Sequence, residues 1–227
     1  MKLSPRPART PSRLSDSVHC RLNMYALAAG GVGVLAFARP AEGRVVYTPA
    51  HEVLKPGYGI SYYLDLNHDG VNDFYLVNFF SSSQDGGLWV SPSAHTGNGV
   101  VPHASSIAAA LPAGVPVGPK KNFLGPPEMV MAWQTFTPDT CRGPWKDAQK
   151  RYLGLRFSIK GETHYGWARL NVNCVSPNPI KALLTGYAYE TIPNKAIITG
   201  KTKGSDVITV QPDTASGSLG RLALGRK

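Results

Sequence analysis

Residues 152–172 read Tyr152-Leu153-Gly154-Leu155-Arg156-Phe157-Ser158-Ile159, then Lys160-Gly161-Glu162, then Thr163-His164-Tyr165-Gly166-Trp167-Ala168-Arg169-Leu170-Asn171-Val172. Leu153, Leu155, Phe157 and Ile159 alternate with Tyr152, Gly154, Arg156 and Ser158. His164, Gly166, Ala168, Leu170 and Val172 alternate in the same way with Tyr165, Trp167, Arg169 and Asn171. A period of two is the signature of strands, whose successive side chains point to opposite faces. Two such runs joined by a short glycine-bearing break predict an antiparallel hairpin. Folding it about either Lys160-Gly161 or Gly161-Glu162 keeps one face largely apolar. Either fold sets Arg156 across from Tyr165 or Trp167, within reach of a cation–π contact.

Outward from the hairpin the same period recurs in short pieces. Arg44-Val45-Val46-Tyr47-Thr48-Pro49 reads as a first strand closed by its proline, and residues 60–66, 74–80, 129–136, 184–190 and 196–199 read as further strands. No stretch combines a helical apolar period with start and stop signals, and the 24 glycines and 19 prolines recur throughout, as in a turn-rich all-β domain. Residues 81–127, rich in Ser, Gly, Pro and Ala, read as long surface loops with one short strand or helical turn near residues 107–111. We find no internal repeat. These features predict an all-β fold, a single antiparallel β-sandwich of jelly-roll or lectin-like type over residues 44–203. Residues 204–227 form a loosely ordered tail in this reading.

The first 43 residues have the order of an export signal. A basic stretch to Arg21 precedes the apolar run from Met24 to Ala38, and small residues follow around Ala41-Glu42-Gly43, with an earlier cut offered by Ala36-Phe37-Ala38. The apolar run is shorter than the roughly 20 residues needed to span a bilayer, so no stable span is expected once the signal is removed. A buried N-terminal helix is the alternative reading, and Met24 is an alternative start. Without residues 1–43, the 24 Lys+Arg and 14 Asp+Glu of the chain fall to 18 and 12, a net +6 with no dense basic stripe. That distribution argues against nucleic acid as a partner and reads first as solvated surface, with weak attraction to acidic envelope polymers as the alternative; envelope or extracellular polysaccharide is the candidate partner. The expected location is the periplasm or the medium. Cys20 leaves with the signal, and Cys141 and Cys174 remain as an even pair in an oxidising compartment, which predicts a disulfide; two unpaired buried thiols are the alternative.

Chemistry concentrates in Asp65-Leu66-Asn67-His68-Asp69-Gly70-Val71-Asn72-Asp73. Oxygen side chains at its first, third, fifth and ninth positions suit the hard, flexible oxygen shell of Ca²⁺, and glycine at the sixth permits a left-handed bend. The twelfth position is Leu76, so this is no EF-hand. The segment looks more like the short inter-strand loops of integrin-type repeats. That resemblance implies Asp65, Asn67, Asp69 and Asp73 as side-chain ligands and Val71 as a carbonyl ligand of a structural Ca²⁺. A metal-free Asx-rich turn is the competing reading, against which stands the mutual repulsion of three uncompensated carboxylates.

No catalytic constellation emerges, and the chain is not expected to be an enzyme. His51-Glu52 lacks the second histidine of a zincin helix, and His95 and His103 have no matching acids. Ser61 has no nucleophile elbow, and Glu128, Glu162 and Glu190 are too scattered to pair from sequence. His164, Tyr165 and Trp167 read as core residues, with an exposed sugar-stacking face as the alternative.

Taken together, Arg44 to Pro49, the Leu64 to Phe74 loop, Tyr152 to Phe157, Thr163-His164-Tyr165-Gly166-Trp167-Ala168-Arg169-Leu170 and Gly186-Tyr187-Ala188-Tyr189-Glu190-Thr191 resemble exported bacterial proteins of the PEP-CTERM-associated type. The likeness spans most of the chain after the signal. It implies export and envelope association but no enzymatic activity. Residues 218–227 look like a shortened remnant of the sorting tail, without its Pro-Glu-Pro signature. The expected function is a non-catalytic binding or structural module of the envelope, with a secreted polysaccharide hydrolase using loops 81–127 and an envelope assembly component as alternatives.

Overall fold

Alternation and frequent turns produce strands throughout. The computed structural model describes residues 43–81, 86–94, 97–136 and 139–211, and these carry fifteen strands and no α-helix. Residues 1–42 of the export signal read over 1–43, His95 and the last sixteen residues lie outside the described part. Among the described residues no helix is long and apolar enough to cross a membrane.

One sheet runs β15(Val207–Thr209), β1(Val45–Leu54), β13(Lys181–Glu190), β12(Glu162–Asn173), β11(Arg151–Ile159), β5(Gly99–Val100). A second runs β2(Ser61–Leu64), β3(Phe74–Phe79), β4(Gly86–Pro92), β9(Met129–Phe136), β7(Ile107–Ala108), β6(Pro102–Ala104), with β10(Asp139–Arg142) also on β9. A two-stranded piece pairs β8(Pro116–Val117) with β14(Ile197–Ile198). The expected all-β class is present, but the sheets are mixed rather than purely antiparallel. β15 runs parallel to β1, and β7 meets β9 in parallel.

The hairpin turns on Lys160-Gly161, with Ile159 paired to Glu162. Both turn residues have positive φ, 51° and 86°, the geometry a two-residue hairpin needs to match strand twist. We expect Gly161→Val to cost about 1–2 kcal/mol through backbone strain alone, because a side chain there meets nothing within 4 Å. A urea titration would measure it. Arg156 does lie opposite Tyr165, yet its guanidinium sits over Phe123, 5.1 Å from the ring centre. Phe123 in turn packs on Tyr165 at 5.6 Å, so the loop residue takes the place the cross-strand aromatic was expected to fill.

Both faces of this hairpin are buried. On one, Leu153, Leu155, Phe157, Leu170 and Val172 join Leu64, Phe74, Leu76, Leu88 and Met129 of the second sheet in one apolar cluster. On the other, Tyr152, Tyr165 and Trp167 pack with Val101, Ala109, Val117 and Ile197. The segment 81–127 is therefore not the surface loop its composition suggested. β4 lies between β3 and β9 in the second sheet, and Val100, Val101, Ala108 and Val117 are buried. Small residues pack closely here, which low-complexity composition hides.

β1 also differs from expectation. It continues past Pro49 to Leu54, with a register shift between Pro49 and Glu52 that accommodates the missing amide, as prolines in sheets commonly require. Val207–Thr209, expected in the loose tail, pairs with Val45, Val46 and Tyr47.

Cys141 on β10 and Cys174, just after β12, form the predicted disulfide, with Cα atoms 6.0 Å apart and a sequence separation of 33. It ties the two sheets covalently. Replacing both cysteines by serine should remove stability of order 3 kcal/mol by enlarging the unfolded ensemble. The check is the difference in urea midpoints between the oxidised parent and the double variant.

Candidate metal centre

The loop 65–73 is held at both ends before any ligand is considered. β2 and β3 close on each other through Leu64 paired with Phe74, and the Asp73 amide donates to the Leu64 carbonyl at 2.9 Å. Leu66 is fully buried in the shared core, which anchors the loop between its first two oxygen residues. His68 and Gly70 take positive φ, 60° and 85°, and fold the tip back. The glycine bend expected from sequence is thus present, and an adjoining histidine shares it.

Each carboxylate sits on backbone amides of the loop. Asp65 Oδ1 accepts from the His68 amide at 2.8 Å and more weakly from Asp69, and Asp65 Oδ2 accepts from Gly70 at 2.8 Å. Asp69 accepts from the Val71 amide and from Asn67 Nδ2, both at 2.8 Å. Asp73 is buried and accepts from the Leu66 amide at 2.9 Å. Its own carbonyl receives the Ser93 amide and Asn98 Nδ2, fastening the loop to the chain after β4.

The electrostatics of this set are unfavourable without a cation. Burial first, then Asp65 and Asp69, push the Asp73 carboxyl up to about 7, against the opposing pull of the Leu66 amide. The same two aspartates, after burial, raise Tyr189. Asn67 Oδ1 is buried with no hydrogen-bond partner, an arrangement that costs about 1–3 kcal/mol unless something meets it. An all-oxygen donor set, an unmet amide oxygen and a carboxyl held against ionisation by burial first and by its acidic neighbours second fit a hard divalent cation. Among the described residues, however, no three His, Cys, Asp or Glu side chains already stand as a metal-holding cluster. The carboxylates are turned onto the loop's own amides, so an ion would draw at least some of these oxygens away from them. Val71 is exposed at the tip.

No family model, curated protein or solved structure matches the chain. The remaining sequence candidates are therefore placed by geometry alone. His164, Tyr165 and Trp167 are buried, His164 Nδ1 lying 2.9 Å from the Glu190 carbonyl and Trp167 packing edge-on to Tyr152. They belong to the core and offer no stacking face. Glu190 is buried and bonded to Lys195 Nζ and the Ile192 amide. Glu162 is exposed at the hairpin end and Glu128 is exposed just before β9. His51 and His103 are exposed, and Ser61 opens β2.

Sequence reasoning missed what surrounds the loop. Glu52 from β1, Tyr62 and Tyr63 from β2, His68 and Asp69 from the loop, and Tyr187 from β13 line a cleft of about 560 Å³. His68 Nε2 lies 2.9 Å from Thr48 Oγ1, and its ring tilts onto Tyr187 at 5.7 Å. Burial and, secondly, Glu52 push the Tyr62 hydroxyl up to about 12, so it remains a protonated donor at neutral pH. The Tyr62-Tyr63 pair immediately before the acidic loop was the available signal. The contributions of Glu52 and Tyr187 depend on long-range pairing that no local pattern reports.

Proposed function

We propose that the chain is an exported, non-catalytic binding module, a β-sandwich of jelly-roll or lectin-like type in which Ca²⁺ held at residues 65–73 fixes one end of the second sheet. The carrying observation is the β2–β3 loop, with the Asp73 carboxyl raised to about 7 beside Asp65 and Asp69, and with Asn67 Oδ1 unmet. Asp65, Asn67, Asp69 and Asp73 would hold the ion by side chain and Val71 by its carbonyl. The ion would supply charge compensation and rigidity. The sandwich reading is supported by the single apolar cluster drawn from both larger sheets.

Export to the periplasm or medium rests on the order of basic, apolar and small residues in positions 1–43, on the disulfide, and on the PEP-CTERM-associated resemblance. Polysaccharide of the envelope or its surroundings is the proposed partner class. Native mass spectrometry of the full chain, titrated with Ca²⁺ and with Mg²⁺, tests the central claim. One retained Ca²⁺, lost in Asp69→Ala, is the expected result; no retained Ca²⁺ removes the reading. N-terminal sequencing of the protein recovered from outside the cytoplasm should find a chain starting near Arg44.

A further inference from the structure

The cleft beside the calcium loop has a composition that the loop itself does not explain. Its volume of about 560 Å³ falls in the range of small-ligand sites and accommodates one or two sugar rings. Tyr63 is 57% exposed and is held edge-on by its cross-strand neighbour Tyr75 at 5.2 Å, so a flat aromatic surface stands in solvent in a fixed orientation. Tyr187 lines the same cleft, itself packed by the His68 ring. So do carboxylates that accept hydrogen bonds only, Glu52 on β1 and Asp65 and Asp69 of the loop.

We propose that this cleft binds a neutral saccharide, stacking the C–H face of a pyranose on Tyr63 and receiving its hydroxyl donors on Glu52. Ring faces rich in C–H groups complement exposed aromatic faces, and sugar hydroxyls can donate to acceptor-only carboxylates. Acidic glycans are disfavoured by the same carboxylates, and lipids by the polar lining. The preference for a neutral ligand over an organic cation rests on the calcium reading, because an ion at residues 65–73 offsets most of the aspartate charge that would otherwise attract an ammonium group. The location of the cleft does not depend on that reading.

The experiment is calorimetric titration of the full chain with neutral hexasaccharides of glucose, galactose, mannose and N-acetylglucosamine, with an oligogalacturonate, and with hexalysine, each in Ca²⁺ and in EDTA. At least one neutral hexasaccharide should bind in Ca²⁺. Tyr63→Ala and Glu52→Gln should each weaken it about tenfold or more, while Tyr58→Ala, a residue 88% exposed outside the cleft, leaves affinity unchanged. Failure of every neutral hexasaccharide, binding of hexalysine in their place, or affinity that survives both cleft variants overturns the proposal. Because Ca²⁺ uptake is read separately by mass, neutral binding that is lost in Tyr63→Ala without any Ca²⁺ uptake supports the cleft while refuting the metal.

Discussion

Melting the full chain in a thousandfold excess of Ca²⁺ over its dissociation constant should raise the unfolding free energy by about 4 kcal/mol relative to EDTA, since a ligand of the folded state stabilises by mass action. Asp69→Ala should abolish most of that rise. Proton linkage gives the prediction a second signature. The folded Asp73 carboxyl titrates near 7, whereas in the unfolded chain it titrates near the ordinary aspartate value of about 4. Between those values the folded state keeps a proton that the unfolded state has released. Stability in EDTA should therefore fall as pH rises from about 4 to about 7, whereas Ca²⁺, which requires the ionised carboxylate, should bind more tightly over the same window. Asp73→Asn retains an acceptor for the Leu66 amide while removing the charge. It should flatten that part of the pH profile and lose the Ca²⁺ response. A profile that is identical with and without Ca²⁺ would refute the metal assignment.

Trp145→Ala should cost about 3–5 kcal/mol, the range for truncating a buried aromatic. Trp145 is fully buried and joins the core shared by both sheets. Its Nε1 donates to the Ala108 carbonyl at 3.1 Å, and its amide reaches the Met131 carbonyl at 3.3 Å. The residue thus links the poorly patterned 81–127 segment, held by its side chain, to β9, held by its backbone amide, and loss of the side chain opens a cavity and orphans a buried carbonyl together. Trp145→Phe keeps most of the volume and loses only the hydrogen bond, so it should fall between parent and alanine variant. Urea titration should show the midpoint drop with an unchanged slope, because the surface exposed on unfolding is nearly the same. Equal midpoints for parent and alanine variant would show that residue 145 does not carry this connection.

Several features were legible in the chain before folding. The β11–β12 hairpin, its turn at Lys160-Gly161, the strands either side of residues 65–73 and the bend at Gly70 all follow from short-range rules. Side-chain alternation and the need for positive φ act between neighbours or within one element, so sequence spacing expresses them directly; the Cys141–Cys174 pair, 33 positions apart, was legible from the cysteine count instead. β4 was hidden because Gly86 and Gly87 contribute no side chains to its alternation, and β1 was cut short because its bulge at Pro49 is stabilised by β13 rather than by local sequence.

What only the tertiary structure decided is which separated segments meet. Residues 99–124 cover Tyr165 and Trp167, turning a face open to a sugar-binding reading into a second core. Phe123 takes Arg156, Val207–Thr209 returns to pair with β1, and Glu52 and Tyr187 arrive beside the acidic loop to make a cleft of it. Each of these juxtapositions is selected by the sum of buried contacts over the whole chain, and no single window of sequence contains that sum. The sequence by itself determined the central hairpin, its turn and the oxygen-bearing side chains of the 65–73 loop; the assembled sheets determined which of those groups face one another.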